Sequence, residues 1–312
     1  VIHPFTSSLF ANPNLNSAFS SYGSKPHISR IVFSIGTKAL SDDQYVIKNR
    51  DGSMPSASIN NGLLTFSIQQ YHPYIGIGDE VSLSNDITVY LNEKISLYQW
   101  RVLDAYGNSP PNFTNVTVVK IDKAFSSLYS AISGSEPEIY LKLGNNFDLI
   151  SKRSQLCIAC YKMTEDMAGN SITFSENWIL DEECNIKIFS PVDISHECNS
   201  IQRSKIRGSS IDGFVLYSSD GSGSVPTIHM SPYISVSGLI IGDDDGLVGN
   251  MARYGFLYDS IYTEAELTME IFDNVIVNVY NAIDLRTQPI NSNIYNNIIK
   301  RCVFGIVVEN LT

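Results

Sequence analysis

The stretch Ile271-Phe272-Asp273-Asn274-Val275-Ile276-Val277-Asn278-Val279-Tyr280-Asn281-Ala282-Ile283-Asp284-Leu285-Arg286 aligns on the segment from Ile294-Tyr295-Asn296-Asn297-Ile298-Ile299 to Gly305-Ile306-Val307-Val308-Glu309. The offset is 23 residues (294 minus 271), and Ile271/Ile294, Asn274/Asn297, Ile276/Ile299 and Ile283/Ile306 are identical across it. That spacing fits one coil of a parallel β-helix, in which each rung stacks in register on the one below. Side-chain parity agrees. With Ile283 and Leu285 facing inward, Asp284 faces out, and Ile306 and Val308 form the next inward layer. Asn274 over Asn297 then makes an amide ladder at a bend between strands.

Upstream of the repeat, short apolar segments read as further strands: Ile139 to Leu143, Leu156 to Tyr161, Ser171 to Phe174, Ile186 to Phe189, Gly213 to Tyr217 and Tyr233 to Ile241. Before them, residues 122–132 place Phe125, Leu128, Tyr129 and Ile132 on one stripe of a short helix, with Asp122 as its cap and Gly134 as its end. A lone amphipathic helix between β regions has an apolar surface to cover. Residues 31–120 carry short β-branched or aromatic segments separated by turns such as Asn61-Gly62, which reads as an antiparallel β module. Residues 1–30, rich in Ser, Asn and Pro, read as an extended N-terminal arm. The expected order is therefore arm (1–30), antiparallel module (31–120), capping helix (121–135) and parallel β-helix (136–312).

Composition bounds the function. The 312 residues are 43% apolar and 17% charged, with a mean hydropathy of -0.02, enough for a substantial core. Lys and Arg number 21 against 32 Asp and Glu, a net charge of -11 that disfavours nucleic acid and anionic lipid. No apolar run is long enough for a membrane span, and the chain begins at Val1, which fits a removed signal segment or a fragment. A surface wetted by hydroxyls and amides, with 17 Tyr, points to the cell surface or the extracellular space. Asn112, Asn115 and Asn310 head Asn-x-Ser/Thr triplets and are glycosylation candidates. The five cysteines leave at least one unpaired, and Cys157 and Cys160, three apart on a strand, point to opposite faces, the wrong geometry for a shared metal ion.

The chain resembles the secreted right-handed parallel β-helix proteins of the pectin-lyase-like superfold, particularly bacterial surface proteins. The residues that carry the resemblance are Arg30-Ile31-Val32-Phe33-Ser34-Ile35-Gly36-Thr37, Leu64-Thr65-Phe66-Ser67, Ile75-Gly76-Ile77-Gly78-Asp79-Glu80-Val81, Ala124-Phe125-Ser126-Ser127-Leu128, Ile158-Ala159-Cys160-Tyr161 and Ile186-Lys187-Ile188-Phe189-Ser190-Pro191. These motifs are structural. The resemblance implies an N-terminal β module, a helix over the open end of the solenoid, and a β-helix behind it. An uncovered last coil after Val308 would be an association hazard, met by further chain or by another molecule, including end-to-end or trimeric self-association.

Enzymes of this architecture that cut acidic polysaccharides use carboxylates, often with calcium, and Arg or Lys, because the carbanion formed beside a uronate needs its charge neutralised. Candidates here are Asp243, Asp245, Asp284 and Arg286. The turn Asp243-Asp244-Asp245 offers hard oxygen ligands for calcium, without EF-hand spacing. Arg253, Tyr254, Tyr258 and Tyr262 lie in an insertion between Asp243 and Glu270, where aromatic rings can stack on sugars, or else cover the solenoid wall. The five histidines are scattered and no Gly-x-Ser-x-Gly elbow occurs, which argues against a serine-hydrolase triad. The first expectation is an extracellular structural and adhesive β-helix that contacts glycan and assembles with itself. The second is a polysaccharide lyase or glycoside hydrolase, and the third a viral or phage attachment spike.

Overall fold

The computed structural model describes residues 28–38, 45–133, 137–144, 148–167, 170–174, 177–202, 205–207, 210–217, 226–242, 254–259, 268–286 and 291–309. Three all-parallel sheets are stacked from strands that recur once per coil. The long sheet runs in the order Ser29–Ile35, Ser154–Cys160, Ile186–Phe189, Ile234–Ser237, Thr268–Phe272 and Asn291–Tyr295. A second sheet is Ile172–Thr173, Pro226–His229, Tyr254–Tyr258, Asn281–Leu285 and Phe304–Val308. A third is Met163–Asp166, Phe214–Tyr217, Ile240–Ile241, Val275–Val277 and Ile298–Lys300.

The 23-residue repeat is the coil-to-coil register. Ile271 pairs with Ile294, Ile276 with Ile299 and Ile283 with Ile306, one pair in each sheet. Ile271, Ile276 and Ile283 are all fully buried in the core between the sheets, as strand parity requires. At the corner, Asn274 Nδ2 donates to Asn297 Oδ1 at 3.2 Å and to the Val236 carbonyl at 2.9 Å, while its own oxygen accepts from Leu239 N. Asn297 Nδ2 repeats the pattern one coil on, donating to the Ile271 carbonyl. The chain turns these corners with left-handed residues at matching places, Asp273 and Asn296 at φ 58 and 55, Asn278 and Arg301 at φ 51 and 57. Three of the four are Asp or Asn, whose short polar side chains tolerate that conformation better than β-branched ones, so the β-branched residues stay on the strands.

The antiparallel module is a closed six-stranded barrel, in the order Ser56–Asn60, Leu63–Phe66, Gln99–Leu103, Thr88–Lys94, Glu80–Leu83 and Phe113–Asp122. The segment Ile31 to Ile35, assigned from sequence to this module, lies instead in the solenoid: Ser29–Ile35 pairs residue for residue with Ser154–Cys160. The barrel is thus inserted between two neighbouring solenoid strands. Parity explains how it docks. Phe33, Ile35, Ile158 and Cys160 face the solenoid core, whereas Val32, Cys157, Ala159 and Tyr161 face out and belong to the barrel's core. Cys157 and Cys160 therefore sit in different cores, and all five cysteines are free thiols. Gly78, at φ 82, passes so close to the solenoid strand that a Cβ would lie 2.4 Å from the Phe33 carbonyl carbon, and its own carbonyl accepts from Ser34 N.

Two local expectations are corrected. The helix runs over Leu128–Ile132, and its cap is Ser127, whose side chain accepts from Ser130 N; Asp122 ends a barrel strand and accepts from Lys123 N. Glu165 completes the cap from the solenoid, accepting from Ser127 Oγ, Leu128 N and Tyr129 N at 2.7–2.9 Å. Residues 139 to 143, expected to be a strand, lie in the helix Glu138–Leu143. Pro137 opens it, left-handed Gly144 closes it, and the i, i+4 pair Ile139 and Leu143 is buried while Leu141 is 83% exposed. A strand would have buried all three, so the helical period wins over an alternation only three residues long. These helices and Leu149–Lys152 put Leu128, Ile132, Ile139, Leu143 and Leu149 into the solenoid core cluster, the first helix against Ile172–Thr173 and the third against Ser154–Cys160.

A buried ion pair locks the junction. Lys123 Nζ lies 2.8 and 3.0 Å from the two Asp79 oxygens, donates to the Tyr74 carbonyl, and sits 3.2 Å from the centre of the Tyr161 ring. Gly76 N donates to Asp79 Oδ2, and Tyr161 Oη to the Ile77 carbonyl. Burial pushes the Asp79 carboxyl up to about 6, against the pull of Lys123, and pushes the Lys123 ammonium down. Lys142, on the second helix, adds a tie to Glu80 and Tyr90 of the barrel that is about one-quarter exposed. No described helix is long and apolar enough to cross a membrane.

Candidate functional site

The second sheet gathers the candidate chemistry that the described residues hold. Its register aligns Thr173, His229, Leu257, Asp284 and Val307 in one row across successive coils, the row opposite in parity to the core residues Ile228, Phe256 and Ile283. Asp284 therefore faces outward, as its neighbours' parity predicted, yet it is only 1% exposed. Its Oδ2 accepts from Asn281 Nδ2 at 2.7 Å and lies 3.5 Å from the Arg286 guanidinium, whereas Oδ1, like Asn281 Oδ1, is buried without a hydrogen-bond partner. A buried acceptor lacking a donor is costly, about 1–3 kcal/mol.

Arg286 is the accessible part of the cluster, with its side chain 31% exposed. Its guanidinium carbon lies 4.6 Å from the Tyr254 ring centre and Nη2 hydrogen-bonds Tyr254 Oη, while its backbone N donates to the Tyr258 carbonyl. One coil before Tyr254–Tyr258, His229 pairs through Nε2 with Asp259 Oδ1, both about one-third exposed. Sheet register thus brings a carboxylate-oriented imidazole and a guanidinium onto the same side of the solenoid.

Tyr254 and Tyr258, proposed from sequence as sugar platforms, are each 3% exposed, and Tyr258 packs in the solenoid core. The Tyr254 ring supports Arg286, and Tyr258 meets it through its backbone carbonyl. Asp243, Asp244, Asp245, Arg253, Tyr262 and Asn310 lie outside the described residues. Among the described residues no group of three or more His, Cys, Asp or Glu side chains converges as a metal site. Asn112 and Asn115 are exposed on the barrel; the Asn112 side-chain oxygen accepts from Asn61 N, and Asn115 takes a left-handed conformation at φ 55.

His229 and Asp259 went unread in the sequence because they are 30 residues apart and meet only across a coil. The one local signal was Ile228, whose inward position sends His229 out. Geometry defines the class of molecule as an all-β chain of stacked parallel coils with an inserted antiparallel barrel. Comparison with protein-family models, with curated proteins and with solved structures finds no match.

Proposed function

We propose that the chain is an extracellular structural and adhesive β-helix protein, of the pectin-lyase-like kind, that contacts an acidic glycan along the outer side of its second sheet. The observation that carries the reading is the sheet register, which aligns His229 and Asp284 in one row and sets Arg286 and the His229–Asp259 pair, all partly open to solvent, on the same side of the solenoid. A guanidinium suits bidentate recognition of a uronate carboxylate. Rigid coils hold these groups at fixed separations without further ordering on binding.

Titration with hexagalacturonate tests it. Binding that Arg286→Ala weakens at least about tenfold, while Lys187→Ala on the long sheet leaves it intact, is expected. Equal affinity in both variants contradicts the proposal. The His229–Asp259 pair favours a second reading, a polysaccharide lyase in which the imidazole removes the proton beside a uronate. Release of unsaturated product from polygalacturonate, abolished in His229→Ala, would select it; no release from the parent chain removes it.

A further inference from the structure

The loop joining barrel strands Leu63–Phe66 and Glu80–Leu83 carries Tyr71-His72-Pro73-Tyr74 at the surface. Its backbone is held from outside. Asn199 Nδ2 donates to the carbonyls of Gln70 and His72 at 2.8 and 3.0 Å, Ser200 Oγ to that of Pro73 at 2.8 Å, and Lys123 Nζ to that of Tyr74. Four carbonyls are thereby fixed by residues distant in sequence. The rings on this frame are not needed for the core: Tyr71 is 58% exposed and Tyr74 41%. His72 tilts against buried Tyr45 at 5.0 Å and against Tyr74 at 5.5 Å, and Tyr45 meets Tyr74 edge-on at 6.1 Å. Tyr74 N donates to His72 Nδ1, so the neutral imidazole carries its proton on Nε2 as a donor. Partial burial, and then the charge of Lys123, hold the His72 pKa below its ordinary value and favour that neutral form.

We propose that this loop is a binding platform for a neutral pyranose oligosaccharide, separate from the acidic-glycan site on the solenoid. Exposed aromatic faces match the C–H face of a pyranose, and the tyrosine hydroxyls and His72 Nε2 meet its equatorial hydroxyls at the edge. The groups that pin the loop are an amide, a hydroxyl and a lysine whose charge Asp79 already holds, so the frame brings no solvent-facing charge for a uronate. The chain's net charge of -11 disfavours nucleic acid as an alternative stacking partner. With its carbonyls engaged in advance, the loop loses little freedom on binding, and the weak energy of ring stacking is not spent on ordering it.

Calorimetric titration of the full chain with cellohexaose, mannohexaose, xylohexaose and hexagalacturonate tests the proposal. At least one neutral hexaose is expected to bind. Tyr74→Ala weakens that binding about tenfold or more at unchanged melting temperature, Tyr74→Phe, which keeps the ring and loses only the hydroxyl, weakens it less, and Arg286→Ala leaves it untouched. Asn199→Ala keeps every ring and frees two carbonyls, and its affinity falls between parent and Tyr74→Ala. The proposal is overturned if no neutral hexaose binds, if binding survives both Tyr71→Ala and Tyr74→Ala, or if hexagalacturonate alone binds. Because Arg286→Ala reads the other site, either proposal can fail without the other.

Discussion

The solenoid and the barrel junction hold together by different means. In the solenoid, each residue meets its own counterpart one coil away: Ile283 under Ile306, Asn274 under Asn297, and Phe272 stacked on Tyr295 with ring centres 4.9 Å apart and planes 6° from parallel. Such contacts are many and individually modest, and each coil depends on its neighbours. At the junction, a few buried polar contacts link residues far apart in sequence, with Asp79–Lys123 at the centre. The contrast implies that solenoid substitutions act in proportion to local burial, whereas junction substitutions act all at once.

Asp79→Leu gives the largest effect and tests the second half of that contrast. It strands the Lys123 ammonium, 2% exposed, without its partner, and should cost about 3–5 kcal/mol in denaturant unfolding. Adding Lys123→Met should restore much of the loss, since the apolar pair needs no desolvation of charge. A cost under about 1 kcal/mol would show that the pair is no lock.

Next comes a comparison within the solenoid. Ile283 is fully buried and Ile306, its register partner, is 52% exposed. Ile283→Ala should cost about 2–5 kcal/mol and Ile306→Ala clearly less. Equal costs would break the link between coil position and burial. The amide ladder is graded in the same way. Asn274 is fully buried and bonded to both neighbouring coils, so Asn274→Ala should cost about 1–3 kcal/mol, more than Asn297→Ala.

The smallest effect sits at the rim of the junction. His196 Nδ1 lies 2.8 Å from Asp193 Oδ2, and that hydrogen bond and charge raise the His196 pKa, with Glu93 and Glu197 adding to it. A folded pKa above the unfolded 6.5 means that the contribution is complete below pH 6.5 and fades as pH rises through the folded value. Asp193 is lowered despite some burial, chiefly by His196, so its share fades only at the acid end, as pH falls through its own folded value. The pair is largely exposed, and the expected change is slight. An NMR titration of His196 showing a pKa at or below 6.5 would remove it.

The sequence disclosed the solenoid where coils are uniform and hid it where they are not. Along the long sheet, the stacked residues Ile158, Ile188, Val236, Ile271 and Ile294 are spaced by 30, 48, 35 and finally 23 residues (188 − 158, 236 − 188, 271 − 236, 294 − 271). Loops of differing length between strands erase a period even when the strands stack in register. Strand parity survived this, which is why the opposite faces of Cys157 and Cys160 and the outward Asp284 were legible. Ser29–Ile35 was not placed, because its partner Ser154–Cys160 follows only after the whole barrel. The helix Glu138–Leu143 was misread because Ile139, Leu141 and Leu143 alternate, and only tertiary packing shows that Leu141 points to water. Of the candidate site, Asp284, Arg286 and Tyr254 do meet, while the His229–Asp259 pair depends on a contact between coils that no local pattern announces.

Cysteine cross-linking tests the stacked register most directly. Phe272 and Tyr295 are register partners on the outer face of the long sheet, while Asn293, two residues from Tyr295 on the same face, pairs with Glu270. In-register Cα atoms lie about 4.8 Å apart, within disulfide reach, and a shift of two residues exceeds it. Under mild oxidation, Phe272→Cys with Tyr295→Cys should form an intramolecular disulfide detectable by peptide mass, and Phe272→Cys with Asn293→Cys should not. Cross-linking of the second pair in preference to the first would contradict the stacked coils.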